Sequence, residues 1–361
     1  METESEISHP KISHQNHFPL WYQAYLRFIC TTFRTLLPWT RKDPGLFDFE
    51  EKVPTPGLGN GECLVRVFLP LDTAVALASP TPETVKKIPL IIHLEGGGFV
   101  MGTPAGSSFN LRFLADHVKS AVVSVDYAKS PTYPYPHALL QIPHVIGWAC
   151  KRLPLSPSQV AIGGNSAGGN LSASFSLLSS FKSLPDSTDH PRSSSLKSLP
   201  DDFALKTQFL VVPSVHQDAS YDVRLEASKT EECKKNSLPR WIACPMEDAY
   251  LPPPISRTSP FVAPAMISDK ILKFLVDDKA FPQRALVITA ALDCLNIEGG
   301  KFAEKLKRAG VKVEEKEFQG ATHHFDHAAG WDGKKEGGES VMAMEALNMI
   351  ADHLNDVFKQ G

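Results

Sequence analysis

The stretch IGGNSAGGN, residues 162–170, sets Ser166 in the pattern Gly164-Asn165-Ser166-Ala167-Gly168. G-x-S-x-G marks a cramped passage from a strand into a helix, where small neighbours let other backbone approach and leave the hydroxyl exposed. The flanks agree: QVAI before it is strand-like, and LSASFSLLSSF after it puts Leu171, Phe175 and Leu178 on one helical stripe. Ser166 would then stand at the carboxyl end of a strand and at a helix N-terminus, whose dipole favours an alkoxide. A serine is a poor nucleophile without a base, and the base needs an acid to orient it. Asp293 directly follows the strand-like ALVITAAL, and His323 comes 30 residues later, behind VKVEEKEF and Gly320. Taken singly, Asp293 reads equally as a helix N-cap, and His323 as a surface histidine beside His324 and His327. Together at strand ends, the three become a candidate nucleophile, acid and base for acyl transfer, with His324 as the alternative base.

A second stretch, HLEGGGFVMG at 93–102, follows a short apolar segment with three glycines and places Glu95 directly before them. Such a turn aims backbone N–H groups at an anion, so a carboxylate pointing into it would repel a developing oxyanion. Glu95 is therefore expected to point away, bonded to loop N–H groups or paired with a base; the alternative is a carboxyl that acts on bound substrate.

These side chains need a frame to position them. β-rich runs occur at 63–69, 90–94, 121–125, 159–162, 209–212, 285–290 and 311–318, several of them continuously apolar, as in strands covered on both faces. Helical stripes follow at 298–309, stopped by Gly310, and at 341–358. Alternation of strand and helix predicts an α/β fold with a mostly parallel sheet, whose carboxyl edge gathers the site. The Ser, Pro and Asp-rich 182–202 reads as a mobile loop, and the irregular 214–264 as a cap insertion. Residues 18–38, FPLWYQAYLRFICTTFRTLLP, are amphipathic, and Arg27 and Arg34 oppose a spanning helix. They are expected to pack over the body as a cap or, alternatively, to touch lipid or a partner chain. The expected organisation is an N-terminal cap segment at 1–50 and a catalytic domain at 51–361.

With EGGGFVMG (95–102), VSVDYAKSPTYPYPHAL (123–139), GNSAGGN (164–170), SPFVAP (259–264), ALVITAALDCL (285–295) and FQGATHHF (318–325), the chain resembles the hormone-sensitive-lipase family of α/β-hydrolases from about residue 60 onward. The order Ser, Asp, His is that of the α/β-hydrolase fold. The resemblance implies a carboxylesterase-like serine hydrolase with Ser166 as nucleophile, Asp293 as acid and His323 as base. It further implies an oxyanion hole from the N–H groups of Gly97, Gly98 and Ala167, and a helical cap over the acyl pocket. Glu95 stands where the family has a histidine, Asn165 where it has an acidic residue, Cys294 where it has a proline and His324 where it has a glycine. Glu95, Phe99 and Trp241 are candidates for contact with substrate, an ester or lactone of small to medium, mainly apolar character. Two other readings remain. One is a non-hydrolytic use of the fold, in cyclisation, elimination or acyl transfer within a natural-product pathway. The other is a binding protein similar to the gibberellin receptors, which lost the catalytic histidine that this chain keeps.

Composition narrows the partners. At 361 residues, 42% hydrophobic and a net charge of -3, the chain can bury one large core or two modest ones and has no overall electrostatic footprint for nucleic acid or an anionic membrane surface. Six scattered cysteines show neither zinc-site spacing nor disulfide density, and the N-terminus lacks the basic-then-apolar order of a secretory signal. A cytoplasmic enzyme without metal or cofactor, and without stable membrane insertion, is expected. Dimers are common in the family, although no residue pattern here shows one.

Overall fold

A computed structural model describes residues 10–36, 44–78, 87–183, 194–329 and 338–359. Along the chain run α1 (Leu20–Leu36), β1 (Phe49–Pro54), β2 (Glu62–Phe68), α2 (Leu71–Ala78), β3 (Ile88–Leu94), α3 (Ser108–Val118), β4 (Ala121–Asp126), α4 (His137–Arg152), β5 (Leu155–Asn165) and α5 (Ala167–Ser180). There follow β6 (Leu205–Val211), α6 (Tyr221–Glu226), α7 (Glu231–Asn236), α8 (Arg240–Tyr250), α9 (Asp269–Asp277), β7 (Arg284–Ala290), α10 (Asn296–Ala309), β8 (Lys312–Phe318) and α11 (Glu339–Lys359).

The eight strands form one sheet in the order β1-β2-β4-β3-β5-β6-β7-β8. β2 pairs antiparallel with β1 and β4, and every other pairing is parallel. Because side chains alternate across a strand, neighbouring apolar residues serve opposite faces. Ile92 and Val123 join a core with α4, α5, α9 and α10, whereas Ile91 and Val122 join one with α3 and α11. Parallel strands covered on both sides account for the unbroken apolar runs.

β1 was not expected. Its sequence FEEKVP is an edge strand with only Val53 buried, so it lacks an apolar run, and the boundary expected at residue 50 falls inside it. The expected loop at 182–202 also differs where it is described. Residues 194–198 form a 3₁₀ turn, and Leu196 and Leu199 are buried against the core, so the later part of the stretch is packed. Residues 184–193 lie outside the described residues.

In the expected cap regions, α1 buries Leu26, Cys30 and Phe33, and the latter two pack with Val100 and with Met246 and Ala249 of α8. The stretch 214–264 holds α6, α7 and α8. Arg224 of α6 is buried between Glu247 of α8 and Glu298 of α10, at 2.9 and 3.4 Å, and ties the insertion to the sheet layer. The cysteines are free thiols. No described helix is long and apolar enough to cross a membrane, and among the described residues no cluster of His, Cys, Asp and Glu is placed to hold a metal ion.

Candidate active site

Ser166 occupies the bend between β5 and α5 at φ 54° and ψ −116°, a strained conformation for a residue with a side chain. Gly164 and Gly168 make the bend possible, since a Cβ at either would overlap the Leu94 carbonyl oxygen at the end of β3. The bend is held by hydrogen bonds from Ser166 N to Val211 O (2.9 Å) and from Asn170 N to Ser166 O (3.0 Å).

The loop after β8 brings His323 to this serine, with Nε2 2.9 Å from Ser166 Oγ. On its other side, Nδ1 lies 2.7 Å from Asp293 Oδ2, at the carboxyl end of β7. Asp293 also accepts from Leu295 N (3.2 Å), so it caps the entry to α10 as well as orienting the imidazole. Burial works against a charged His323, but the adjacent Asp293 charge and hydrogen bond outweigh it and raise its pKa. His324, the alternative base, is on the exposed side of the loop and packs edge-on against His323. Cys294 is buried beside Tyr221, and burial, with the Asp293 charge, pushes its thiol up to about 11. It stays neutral at physiological pH.

The three glycines after β3 turn sharply, with φ 112° at Gly97, 60° at Gly98 and 62° at Phe99. Among the described residues, the N–H groups of Gly97, Gly98 and Ala167 have no intramolecular acceptor. Gly98 and Ala167 border a pocket that also contains Ser166 and His323. Its empty volume is about 460 Å³, and Phe99, Leu238, Ala243, Met246 and Leu295 supply its apolar wall. Phe99 is fixed by stacking on Tyr250 at 3.6 Å between ring centroids. Tyr221, Gln217 and Arg224 close the far side, the last already neutralised by its two glutamates.

Two expected substrate contacts are placed elsewhere. Trp241 is 63% exposed at the start of α8, packs toward Phe33 of α1 and does not line the pocket. Its position on the first turn of an amphipathic helix turns it to the outside. Glu95 is 3% exposed but lies behind the glycine loop, its carboxyl against Gly106.

A model of the alpha/beta hydrolase fold matches residues 91–327, well over half the chain. The chain belongs to the α/β-hydrolase fold family. The arylesterase of Saccharolobus solfataricus is 26% identical over 276 residues, covering 75% of each chain. Hormone-sensitive lipase of Bos taurus is 35% identical over 91 residues, 24% of this chain and 12% of that one. Among solved structures, the thermostable carboxylesterase EstE1 from a metagenomic library is 25% identical at TM-score 0.63, covering 93% of this chain and 97% of its own. The Pyrobaculum calidifontis esterase superposes at TM-score 0.66 with 22% identity, covering 96% and 95%. The protein is a carboxylesterase-like α/β hydrolase.

Within this α/β hydrolase two of the four departures from the family pattern, Glu95 and Asn165, meet at one spot. Asn165 accepts from Gly96 N through Oδ1 (2.8 Å), which turns its amide nitrogen to His327 Nε2, also at 2.8 Å. The same imidazole nitrogen is 3.4 Å from Glu95 Oε1. Glu95, Asn165 and His327 therefore join the glycine loop, the serine bend and the 3₁₀ turn Phe325–Ala328 that follows His323. His327 escaped the sequence reading. The available signal was a missing imidazole at 95 and a missing carboxylate at 165, with an unassigned histidine one helical turn past His323.

Proposed function

We propose that this protein is a serine esterase that cleaves small to medium, mainly apolar carboxylic esters or lactones through an acyl-enzyme. The observation that carries the proposal is Ser166 Oγ held 2.9 Å from an imidazole whose other nitrogen is 2.7 Å from a buried carboxylate. His323 takes the Ser166 proton as Oγ attacks the ester carbonyl, and Asp293 stabilises the imidazolium that forms. The N–H groups of Ala167, Gly98 and Gly97 receive the oxyanion; these fixed donors supply stabilisation on the order of a hundredfold each. His323 returns the proton to the leaving alkoxide, then deprotonates a water that attacks the acyl carbonyl and releases the acid. The non-hydrolytic reading was motivated by a carboxylate in the oxyanion loop, and the placement of Glu95 behind that loop favours hydrolysis.

The deciding experiment combines p-nitrophenyl acetate and butyrate burst kinetics with intact mass after a fluorophosphonate probe. A burst and a single adduct on the wild type, both absent in Ser166→Ala, are expected. Turnover with no adduct, or retained turnover in Ser166→Ala, would refute the proposal.

pH dependence follows from the same geometry. Catalysis needs neutral His323, whose pKa lies above its ordinary 6.5 despite burial. kcat/KM should fall with decreasing pH through one ionisation displaced above 6.5, and an Asp293→Asn variant should lose that displacement together with most of its rate. A wild-type acid limb below the ordinary histidine value would contradict the assignment.

A further inference from the structure

The inner face of α1 is committed to the body, through Leu26, Cys30 and Phe33 and through Tyr22 Oη donating to Asp248 (2.6 Å). Its outer face is not. Leu20, Trp21 and Phe28 are 83%, 72% and 71% exposed, and Tyr25 and Leu36 stand out on the same helix. Trp21, Tyr25 and Phe28 recur at helical spacing and form one stripe. Trp241 of α8, beside Phe33, extends the apolar surface toward the helix that walls the pocket. Large aromatic side chains held outward on a helix stay in contact with water and bury nothing within the described chain.

Charge indicates what covers them. Between Glu6 and Asp43 the sequence has no acidic residue but contains Lys11, Arg27, Arg34, Arg41 and Lys42, in a protein whose net charge is -3. Arg34 is turned inward, where it donates to Val100 O and Ser130 O. Lys11 and Arg27 are exposed, Arg27 on α1 itself. We infer that the outer face of α1 lies in the surface of an anionic bilayer, with its aromatic stripe at headgroup depth and Arg27 on lipid phosphates and carboxylates. Aromatic and leucine residues outward on a helix that carries an exposed Arg27 and no acidic residue form the pattern of an interfacial helix. A second copy of the chain fits less well, because a twofold contact on this face would bring the cations of one α1 against those of the other. The binding would seat the cap that walls the pocket against the lipid surface.

Vesicle co-sedimentation tests this with full-length protein and phosphatidylcholine vesicles, with and without phosphatidylserine. Wild type should sediment with the anionic vesicles and little with the neutral ones, and binding should weaken with salt. The double variant W21S/F28S should bind at least about tenfold more weakly, and Arg27→Glu about fivefold or more. Both variants leave the inner face of α1 intact, so their hydrolysis of soluble p-nitrophenyl butyrate should match wild type. That comparison keeps a folding failure separate from a binding failure, and sedimentation itself requires no turnover. Equal sedimentation of wild type and W21S/F28S would overturn the inference. So would light scattering that shows a wild-type dimer dissociated by the same pair of substitutions.

Discussion

Ser166→Ala should lower kcat for p-nitrophenyl butyrate by about 10⁴- to 10⁶-fold while leaving thermal unfolding close to that of wild type. The size of the loss follows from the way the three groups act as one unit. Without Oγ, His323 has nothing to deprotonate, and only the oxyanion donors and the pocket remain to assist water. His323→Ala should lose about as much, and the double variant little more than either, because the first substitution already disables the other group. Alanine at 166 also relieves no contact that holds the bend, which is secured by backbone hydrogen bonds. Steady-state kinetics on repurified protein, with active-site titration to exclude wild-type carry-over, check the result. Near-additive losses in the double variant would mean that Ser166 and His323 serve separate steps.

Glu95→Gln should cost about a hundredfold in kcat with KM nearly unchanged, although Glu95 does not line the pocket. Its carboxyl packs 3.4 Å from His327 Nε2, the nitrogen that accepts from the Asn165 amide, and the oxygen of that amide holds Gly96 N–H. Loosening this brace misplaces the N–H groups of the next residues, Gly97 and Gly98, and a misplaced donor forfeits up to the hundredfold that a lost one costs. The arrangement also explains why position 165 is an amide. An aspartate there would face Glu95 across one imidazole and offer no proton to it, so Asn165→Asp should be slow on its own. Glu95→His should likewise stay slow, because it sets two imidazoles together without a carboxylate between them. Combined as E95H/N165D, however, the charges resume a complementary order and kcat should recover at least about tenfold over either single variant. A merely structural role would lower melting temperatures in step with activity and would show no such recovery. Full activity in Glu95→Gln would refute the brace.

Much of the frame was legible because parallel strands covered on both faces must be apolar throughout. The seven runs read from sequence all fall on strands of the sheet, and Gly310 ends α10 in the left-handed conformation expected of it. β1 was hidden because an edge strand with one buried residue carries no apolar signature. α4 and α8 were hidden for a different reason: Pro143 and Pro245 sit inside them, where proline ordinarily argues against a helix. At the site, the positions of Ser166, Asp293 and His323 could be read because each ends a strand and chemistry dictates its residue type. The outward turn of Trp241 and the Glu95–His327 pairing could not, since both depend on how separate segments face each other in space. Sequence spacing alone carries no such information.

The sheet is completed by β8, which pairs only with β7, and His323 follows β8 at a point 157 positions beyond Ser166. During synthesis the serine, its glycine loop and later Asp293 all leave the ribosome before the imidazole does. A chain interrupted at any point before that loop therefore bears the Ser166 hydroxyl without the imidazole proposed to accept its proton. On the proposed mechanism the last of the three groups arrives with the loop after β8, so chains truncated before that loop would add nothing to triad-dependent turnover.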